Sequence, residues 1–315
     1  MEKLRIVFMG TPDFAVGILD EIYQADYTIV GVITAPDKPA GRGQKVSISA
    51  VKKYALEKNL TLLQPTNLKN ETFLAELKNL EANVQVVVAF RMLPEAVWKM
   101  PKYGTFNLHA SLLPDYRGAA PINWAIINGE TQTGVTTFFI DEKIDTGAII
   151  YNDTTDILPN ELAGELHDKL MNLGKKTVLK TLDSIEKQDI KIVLQDKNEH
   201  FKQAYKLNKE NCQINWQKTG NEIHNLIRGL SPYPAAWTIF TDETNEWSVK
   251  IYETIFEKSL HNFEEGTILL DKKELKIASK DGYLNVLSLQ FPGKKRLQTV
   301  DFLNGFTKPA KFYAK

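Results

Sequence analysis

The order of apolar and polar positions divides the chain into two textures. Up to about residue 190, short apolar runs alternate with segments whose apolar residues recur at helical spacing. Residues 4–9 (Leu-Arg-Ile-Val-Phe-Met) predict a buried strand, and Gly10-Thr11-Pro12 punctuates it, with Thr11 as N-cap and Pro12 at the first helical position. The helix expected next runs to about Gln24 and gathers Phe14, Ile18, Leu19 and Ile22 on one face. Thr28–Thr34 predicts a second strand, 48–58 and 70–80 predict helices, 61–63 a short strand and 94–100 a short helix. Val84-Gln85-Val86-Val87-Val88-Ala89 is nearly continuous in apolar residues, as a strand covered on both faces requires. Gly104–His109 predicts the next strand, Pro121–Asn128 a helix, Val135–Ile140 and Ala148–Thr154 a β-pair, and 160–187 a long amphipathic helix. Strands alternating with helices predict an α/β fold with a doubly wound, mostly parallel sheet, whose ligands bind beyond the carboxyl ends of the strands.

Beyond about residue 190 the pattern shifts to short strand-like runs at 236–240, 247–255, 266–270, 275–278 and 283–289, separated by turn residues, with one helix over 218–229. That pattern fits a small antiparallel, OB-like β-barrel. The expected organisation is a first domain over 1–190, a linker over 191–207 and a barrel over 208–315.

Composition narrows the class. Over 315 residues, 43% are hydrophobic and 25% charged, with zero formal net charge, which is ordinary for a globular protein and offers no global attraction to polyanions. Residues 205–315 hold 16 Lys+Arg against 13 Asp+Glu, so the barrel is only weakly basic. Cys212 is the single cysteine, which points to a reducing compartment. No apolar run approaches the roughly 20 residues of a membrane span, and Met1-Glu2-Lys3-Leu4-Arg5 lacks the pattern of a secretory leader, so a cytoplasmic protein without a membrane partner is expected. The expected state is a monomer.

The chemistry gathers at Asn107 and His109, two positions apart on a predicted strand, so that both side chains leave the same face. Asp145, in Ile144-Asp145-Thr146-Gly147, supplies a carboxylate downstream. An amide donor, an imidazole and a carboxylate without an adjoining nucleophile suit direct transfer of a carbonyl group. The amide holds the carbonyl oxygen, a cation beside it stabilises a developing oxyanion, and the carboxylate favours the charged imidazole. None of the five histidines shares metal-ligand spacing with another, so no metal is expected. Gly10 and Gly17 lack the three-glycine spacing of a dinucleotide fingerprint. The loop 35–47 carries Lys38, Arg42 and Lys45 with Gly41 and Gly43 between them; it is either a solvated excursion or a clamp that orders on a phosphate-bearing partner. Lys294-Lys295-Arg296 forms a second small basic cluster.

Asn107, His109 and Ser111-Leu112-Leu113-Pro114 together with Asp145 resemble the formyltransferases that use 10-formyltetrahydrofolate. Further segments narrow the resemblance to the branch acting on methionyl-initiator tRNA: Met9–Ala15, Pro36–Gly43, Tyr116-Arg117-Gly118-Ala119-Ala120-Pro121-Ile122, and Arg228–Trp237 around Pro232-Tyr233-Pro234. The resemblance covers nearly the whole chain. It implies a formyl-transfer domain followed by a barrel that assists tRNA binding, with 10-formyltetrahydrofolate as co-substrate and methionyl-initiator tRNA as partner. It implies Asn107, His109 and Asp145 as catalytic residues, Ser111, Leu112, Leu113 and Pro114 as folate contacts, and Phe90, Arg91, Met92, Leu93 and Asp141 around the pterin. It implies Lys38, Arg42 and Lys45, and Lys294, Lys295 and Arg296, as tRNA contacts. Phe90-Arg91-Met92 departs from the Tyr-Gly segment usual there. The alternative within the family is a small amine acceptor, an amino-sugar nucleotide or glycinamide ribonucleotide.

Overall fold

The computed structural model describes residues 2–40, 45–196, 201–242, 244–306, 309 and 311–315. In chain order, the first part contains β1 (Arg5–Gly10), α1 (Asp13–Gln24), β2 (Thr28–Ile33), β3 (Lys38–Ala40), β4 (Lys45–Ser47), α2 (Ala50–Glu57), β5 (Leu62–Leu63), α3 (Glu71–Asn79), β6 (Val84–Val88), α4 (Glu95–Trp98) and β7 (Thr105–His109). There follow β8 (Arg117–Gly118), α5 (Pro121–Ile127), β9 (Gln132–Phe139), β10 (Ile149–Asp156), α6 (Ala163–Lys187) and β11 (Gln203–Ala204). The remainder is α7 (Gly220–Leu230), β12 (Ala236–Thr241), β13 (Glu246–Lys258), β14 (Ile268–Leu270), β15 (Leu275–Ser279), β16 (Gly282–Gln290), β17 (Leu297–Gln298), α8 (Thr299–Asn304) and β18 (Tyr313–Ala314).

Strand order in the first sheet is β10-β9-β7-β6-β1-β2-β5. The links β1–β2, β2–β5, β1–β6 and β6–β7 are parallel, and β7–β9 is antiparallel. The chain winds outward from β1 to β5, returns to β6 on the other side of β1, and proceeds to β10. This is the doubly wound, mostly parallel sheet that the pattern predicts, and its strand order reverses between β1 and β6. Central β6 is buried at every position, which is why Val-Gln-Val-Val-Val carries no polar-out alternation. Helix α1 buries Phe14, Ala15, Ile18, Leu19 and Ile22. Phe106 and Leu108 of β7 are buried, and a Cβ on Gly174 of α6 would come within 2.7 Å of Leu108. Glycine there lets the helix lie close on the strand that carries the site.

Two local expectations change. Thr11 does not cap α1: Pro12 is the N-cap, in extended conformation without a side-chain bond, and the helix begins at Asp13. The loop expected at 35–47 carries a short antiparallel ladder, pairing Lys38 with Ser47 and Ala40 with Lys45.

Contacts cluster the chain into two units: Met1–Gly118, Thr133–Thr155 and His167–Gln203 form one, and Ala119–Gln132, Asp156–Leu166 and Ala204–Lys315 the other. In the second unit, strands run β14-β15-β16-β13-β12-β18, with β17 on β16. A bridge between Thr267 and Tyr313 joins the two ends of that order, with Ile268 N–H donating to Phe312 O at 3.0 Å and Ala314 N–H to Gly266 O at 2.8 Å. The sheet thereby closes into the expected antiparallel barrel. Its interior holds Ile214, Trp216, Phe240, Val249, Ile251, Ile277, Leu284, Val286 and Phe312, together with Ile223 and Ile227 of α7. A capping box of Thr219 and Glu222 starts α7. Hydrogen bonds from the Thr219 hydroxyl, then from Lys218 and the Thr219 backbone, hold the Glu222 carboxyl down at about 2.

Candidate active site

β7 ends at the carboxyl edge of the first sheet, next to the end of β6. Asn107 pairs with Phe138 of β9 and His109 with Thr136, so the two site residues share a strand face while Phe106 and Leu108 enter the core on the other. Asn107 is half-buried, and its amide has no hydrogen-bond partner among the described residues. A polar group left unsatisfied at a strand end is available to a ligand.

His109 is buried, and its Nε2 lies 2.8 Å from Tyr116 O. A carbonyl oxygen only accepts, so Nε2 carries a proton and Nδ1 is the other working nitrogen. Nδ1 lies 3.9 Å from Asp145 Oδ2. Asp145 sits at φ 55°, in the left-handed region, where aspartate is among the few side-chain-bearing residues tolerated. Its Oδ2 accepts from Gly118 N–H at 3.0 Å. The loop that presents it is closed by Asp141, whose Oδ1 accepts from Lys143 N–H at 3.0 Å and from the Thr146 hydroxyl at 2.8 Å. A Cβ on Gly147 would stand 1.7 Å from Phe139 O, so the turn after Asp145 requires glycine.

The folate segment named from the sequence is partly occupied by its own architecture. The Ser111 hydroxyl donates to Asp115 O at 2.7 Å, and Leu113 is buried against Phe138 and Ile149. Leu112 and Pro114 are half-buried. After β6, Leu93 joins the core with Val87, Val97 and Phe73, whereas Met92 is 65% exposed. Arg91 donates to Thr66 O at 2.9 Å and to Pro65 O, with its guanidinium 5.6 Å from the Phe90 ring centroid. Phe90 is partly buried against that same core, and Met92 is the exposed apolar side chain of the segment.

Lys38 and Lys45 lie on the paired β3 and β4. Arg42 lies outside the described residues. In the second unit, Lys294 and Lys295 are exposed, but Arg296 is engaged: its Nε donates to the Ser288 hydroxyl at 2.7 Å, it pairs with Glu253, and it lies 4.5 Å from the Tyr252 ring centroid. No group of three or more His, Cys, Asp or Glu suited to a metal occurs among the described residues.

Several residues that hold the site were not assigned roles by sequence reasoning. Tyr116, Arg117 and Gly118 stand out in the sequence as a segment without a stated task, yet Tyr116 O accepts from His109 and Gly118 N–H donates to Asp145. Gln195 gives no signal in sequence. Its Nε2 donates to Asp145 O at 3.0 Å and to Gly147 O at 2.8 Å, and its Oε1 accepts from Arg117 Nη2 at 2.6 Å. Burial pulls the Arg117 guanidinium below its ordinary value, against the opposing pull of Asp145 and Asp141.

Comparison with known proteins bears on this arrangement. Residues 4–182 match the model of the family described as "Formyl transferase", and residues 206–307 that of "Formyl transferase, C-terminal domain". A methionyl-tRNA formyltransferase of Flavobacterium johnsoniae is 65% identical over 315 residues, covering 99% of this chain and 100% of that protein. One from Bacteroides thetaiotaomicron is 52% identical over 310 residues, covering 97% and 96%. Among solved structures, the sugar 3N-formyl transferase WlaRD, with dTDP and 5-N-formyl-THF, aligns at TM-score 0.66 and 24% identity over 94% of this chain and 100% of that one. An N-formyltransferase from Helicobacter canadensis, in complex with folinic acid and dTDP-3-aminofucose, aligns at TM-score 0.67 and 23% identity over 90% and 98%. These two show likeness of fold.

Proposed function

The chain belongs to the formyl transferase family, and we propose that it moves the formyl group of 10-formyltetrahydrofolate onto the free α-amino group of methionyl-initiator tRNA. High identity along the whole length to relatives named for that reaction supports the acceptor. The observation that carries the chemistry is the convergence of Asn107, His109 and Asp145: two share one strand face, and the third faces His109 Nδ1 at 3.9 Å.

The reaction is a direct displacement. The amine nitrogen attacks the formyl carbon, giving a tetrahedral centre whose oxygen bears negative charge. The unpartnered Asn107 amide donates to that oxygen, and His109 supports it from the same strand face. The new C–N bond forms, the bond from carbon to folate N10 breaks, N10 takes a proton, and the attacking nitrogen gives one up. Asp145 orients His109 and shares in that proton exchange, directly or through water. Most of the rate comes from holding two substrates in attack geometry against fixed donors.

The folate lies along the carboxyl ends of β6 and β7, with Ser111–Pro114 lining it mainly through backbone and with Phe90, Met92 and the 141–145 loop near the pterin. Residues 35–47 and the barrel hold the RNA; Lys38, Arg42, Lys45, Lys294 and Lys295 are the cations assigned to it. The domain assignment follows: residues 1–190 carry transfer and 208–315 assist tRNA binding. No helix among the described residues is long and apolar enough to cross a membrane, and the proposed place of work is the cytoplasm, as a monomer.

One assay decides the acceptor. The protein is incubated with 10-formyltetrahydrofolate and, separately, charged initiator tRNA, glycinamide ribonucleotide or an amino-sugar nucleotide. Formyl appearing on the methionyl amine alone supports the proposal; formylation of either small amine in preference to it overturns the proposal.

A further inference from the structure

Asp145 is held from two sides, by Gly118 directly and by Gln195, which Arg117 holds in turn. Gly118 N–H fixes its carboxylate at 3.0 Å, and Gln195, itself held by the neighbouring Arg117 at 2.6 Å, fixes its backbone carbonyl at 3.0 Å. We propose that Gln195 and Arg117 are positioning residues for formyl transfer, which lock the Asp145–Gly147 turn so that the carboxylate faces His109. This rests on the reading of His109 and Asp145 as the working pair.

The chain path explains how a residue far along the sequence arrives there. Val193 and Ile149 exchange both backbone hydrogen bonds, each at 2.8 Å, as an antiparallel bridge. Extending that register by two residues on each strand sets Gln195 opposite Gly147. Gly147 has no side chain, and its backbone lies against Phe139 O. The two Nε2 hydrogens of Gln195 then reach the carbonyls of Asp145 and Gly147, on either side of Thr146. Holding both carbonyls favours the φ of 55° at Asp145, a conformation that an unrestrained aspartate leaves readily.

The Gln195 carbonyl can only accept, and Arg117 supplies its donor. The guanidinium lies 4.6 Å from the Phe201 ring centroid, which fixes its plane. Tyr116, Arg117 and Gly118 therefore connect in succession to His109, Gln195 and Asp145. Residues 191–196 and 201–203, read from sequence as part of a linker, group with the first unit, and Gln195 is where that grouping reaches the catalytic loop.

A positioning role is separable from a merely structural one by a double-mutant cycle on the full-length protein, with formylation of charged initiator tRNA as the readout. Gln195→Ala, and Gln195→Met, which keeps the side-chain volume, are expected to lower kcat about tenfold or more while each KM stays within about twofold, as misplacement of a catalytic group does. In an Asp145→Asn background, adding Gln195→Ala is expected to cost less than about twofold, because the group it positions is already disabled. Arg117→Met is expected to be non-additive with Gln195→Ala in the same way. Wild-type kcat in Gln195→Met, a full additional loss on top of Asp145→Asn, or a change confined to KM would each overturn the proposal. Unchanged activity of Asp145→Asn by itself would instead remove the catalytic reading beneath it.

Discussion

His109 Nδ1 stands 3.9 Å from Asp145 Oδ2, beyond hydrogen-bond reach yet close enough for charge to be felt, while Nε2 is committed to Tyr116 O at 2.8 Å. The imidazole is anchored on one side and faces the acid on the other. Replacing Asp145 by Asn leaves shape and removes charge. Asp145→Asn is expected to lower kcat by about 10²–10⁴-fold, the usual share of a proton-handling group, with little change in KM for either substrate. Steady-state kinetics with both substrates varied checks this, and a pure KM effect would contradict it.

Asn107 presents an amide that no protein group satisfies among the described residues. Its removal takes a donor from the developing oxyanion, and Asn107→Ala is expected to cost about 10²–10³ in kcat, or roughly 3–4 kcal/mol. Because the strand is anchored by Phe106 and Leu108 on the opposite face, the thermal midpoint is expected to stay near that of the parent. Turnover within twofold of the parent would end the role assigned to Asn107.

The two basic clusters should behave differently. Arg42→Ala is expected to raise KM for charged tRNA and leave KM for the folate donor alone. Lys294→Ala and Lys295→Ala, both at exposed positions, are expected to reduce the log–log salt slope of tRNA binding by about one each. Arg296 is spent on Glu253, Ser288 and the Tyr252 ring, so Arg296→Ala should lower barrel stability and leave the salt slope alone. Binding titrations at several salt concentrations separate the outcomes.

Gly147→Ala places a methyl group 1.7 Å from Phe139 O, so the loop must move. The expected cost is about 1–3 kcal/mol in urea unfolding, with a larger proportional loss in kcat because Asp145 moves with the turn. Normal kcat in this variant would show that the loop carries no catalytic precision.

Glu222 offers a pH test in the barrel. Its carboxyl is held at about 2, chiefly by the Thr219 hydroxyl and then by Lys218 and the Thr219 backbone, against an ordinary value of 4.5. The folded value is depressed, so the capping box stabilises fully above the unfolded value and is lost as pH falls from about 4.5 toward 2. Glu222→Gln should flatten the acid limb of thermal stability over that window and lower stability at neutral pH, because the neutral amide lacks the contribution of the ionised carboxylate. An unaltered acid limb would refute the linkage.

What the sequence pattern encodes follows a physical division. Apolar periodicity is local, so β6, α1, α3 and α6 were legible within a few residues of their ends, and Asn107 and His109 could be placed on one strand face by spacing alone. Weakly patterned elements escaped: β17, α8 and β18 have few apolar residues at regular spacing, and β3 and β4 lie in a segment that looks like a loop. The pairing of Lys38 with Ser47 is a non-local backbone fact that side-chain pattern does not encode.

The sequence by itself determined the doubly wound sheet, the barrel after it, the strand that carries Asn107 and His109, and the candidacy of Asp145, because burial and side-chain chemistry are written residue by residue. Only the tertiary structure decided that Asp145 faces His109, that Leu93 and Arg296 are engaged in packing and pairing, and that Gln195 reaches the catalytic loop. The reason is chain closure. Contacts such as Gln195 with Asp145, 50 residues apart, depend on strand register and on a close approach at Gly147, and no local pattern records either.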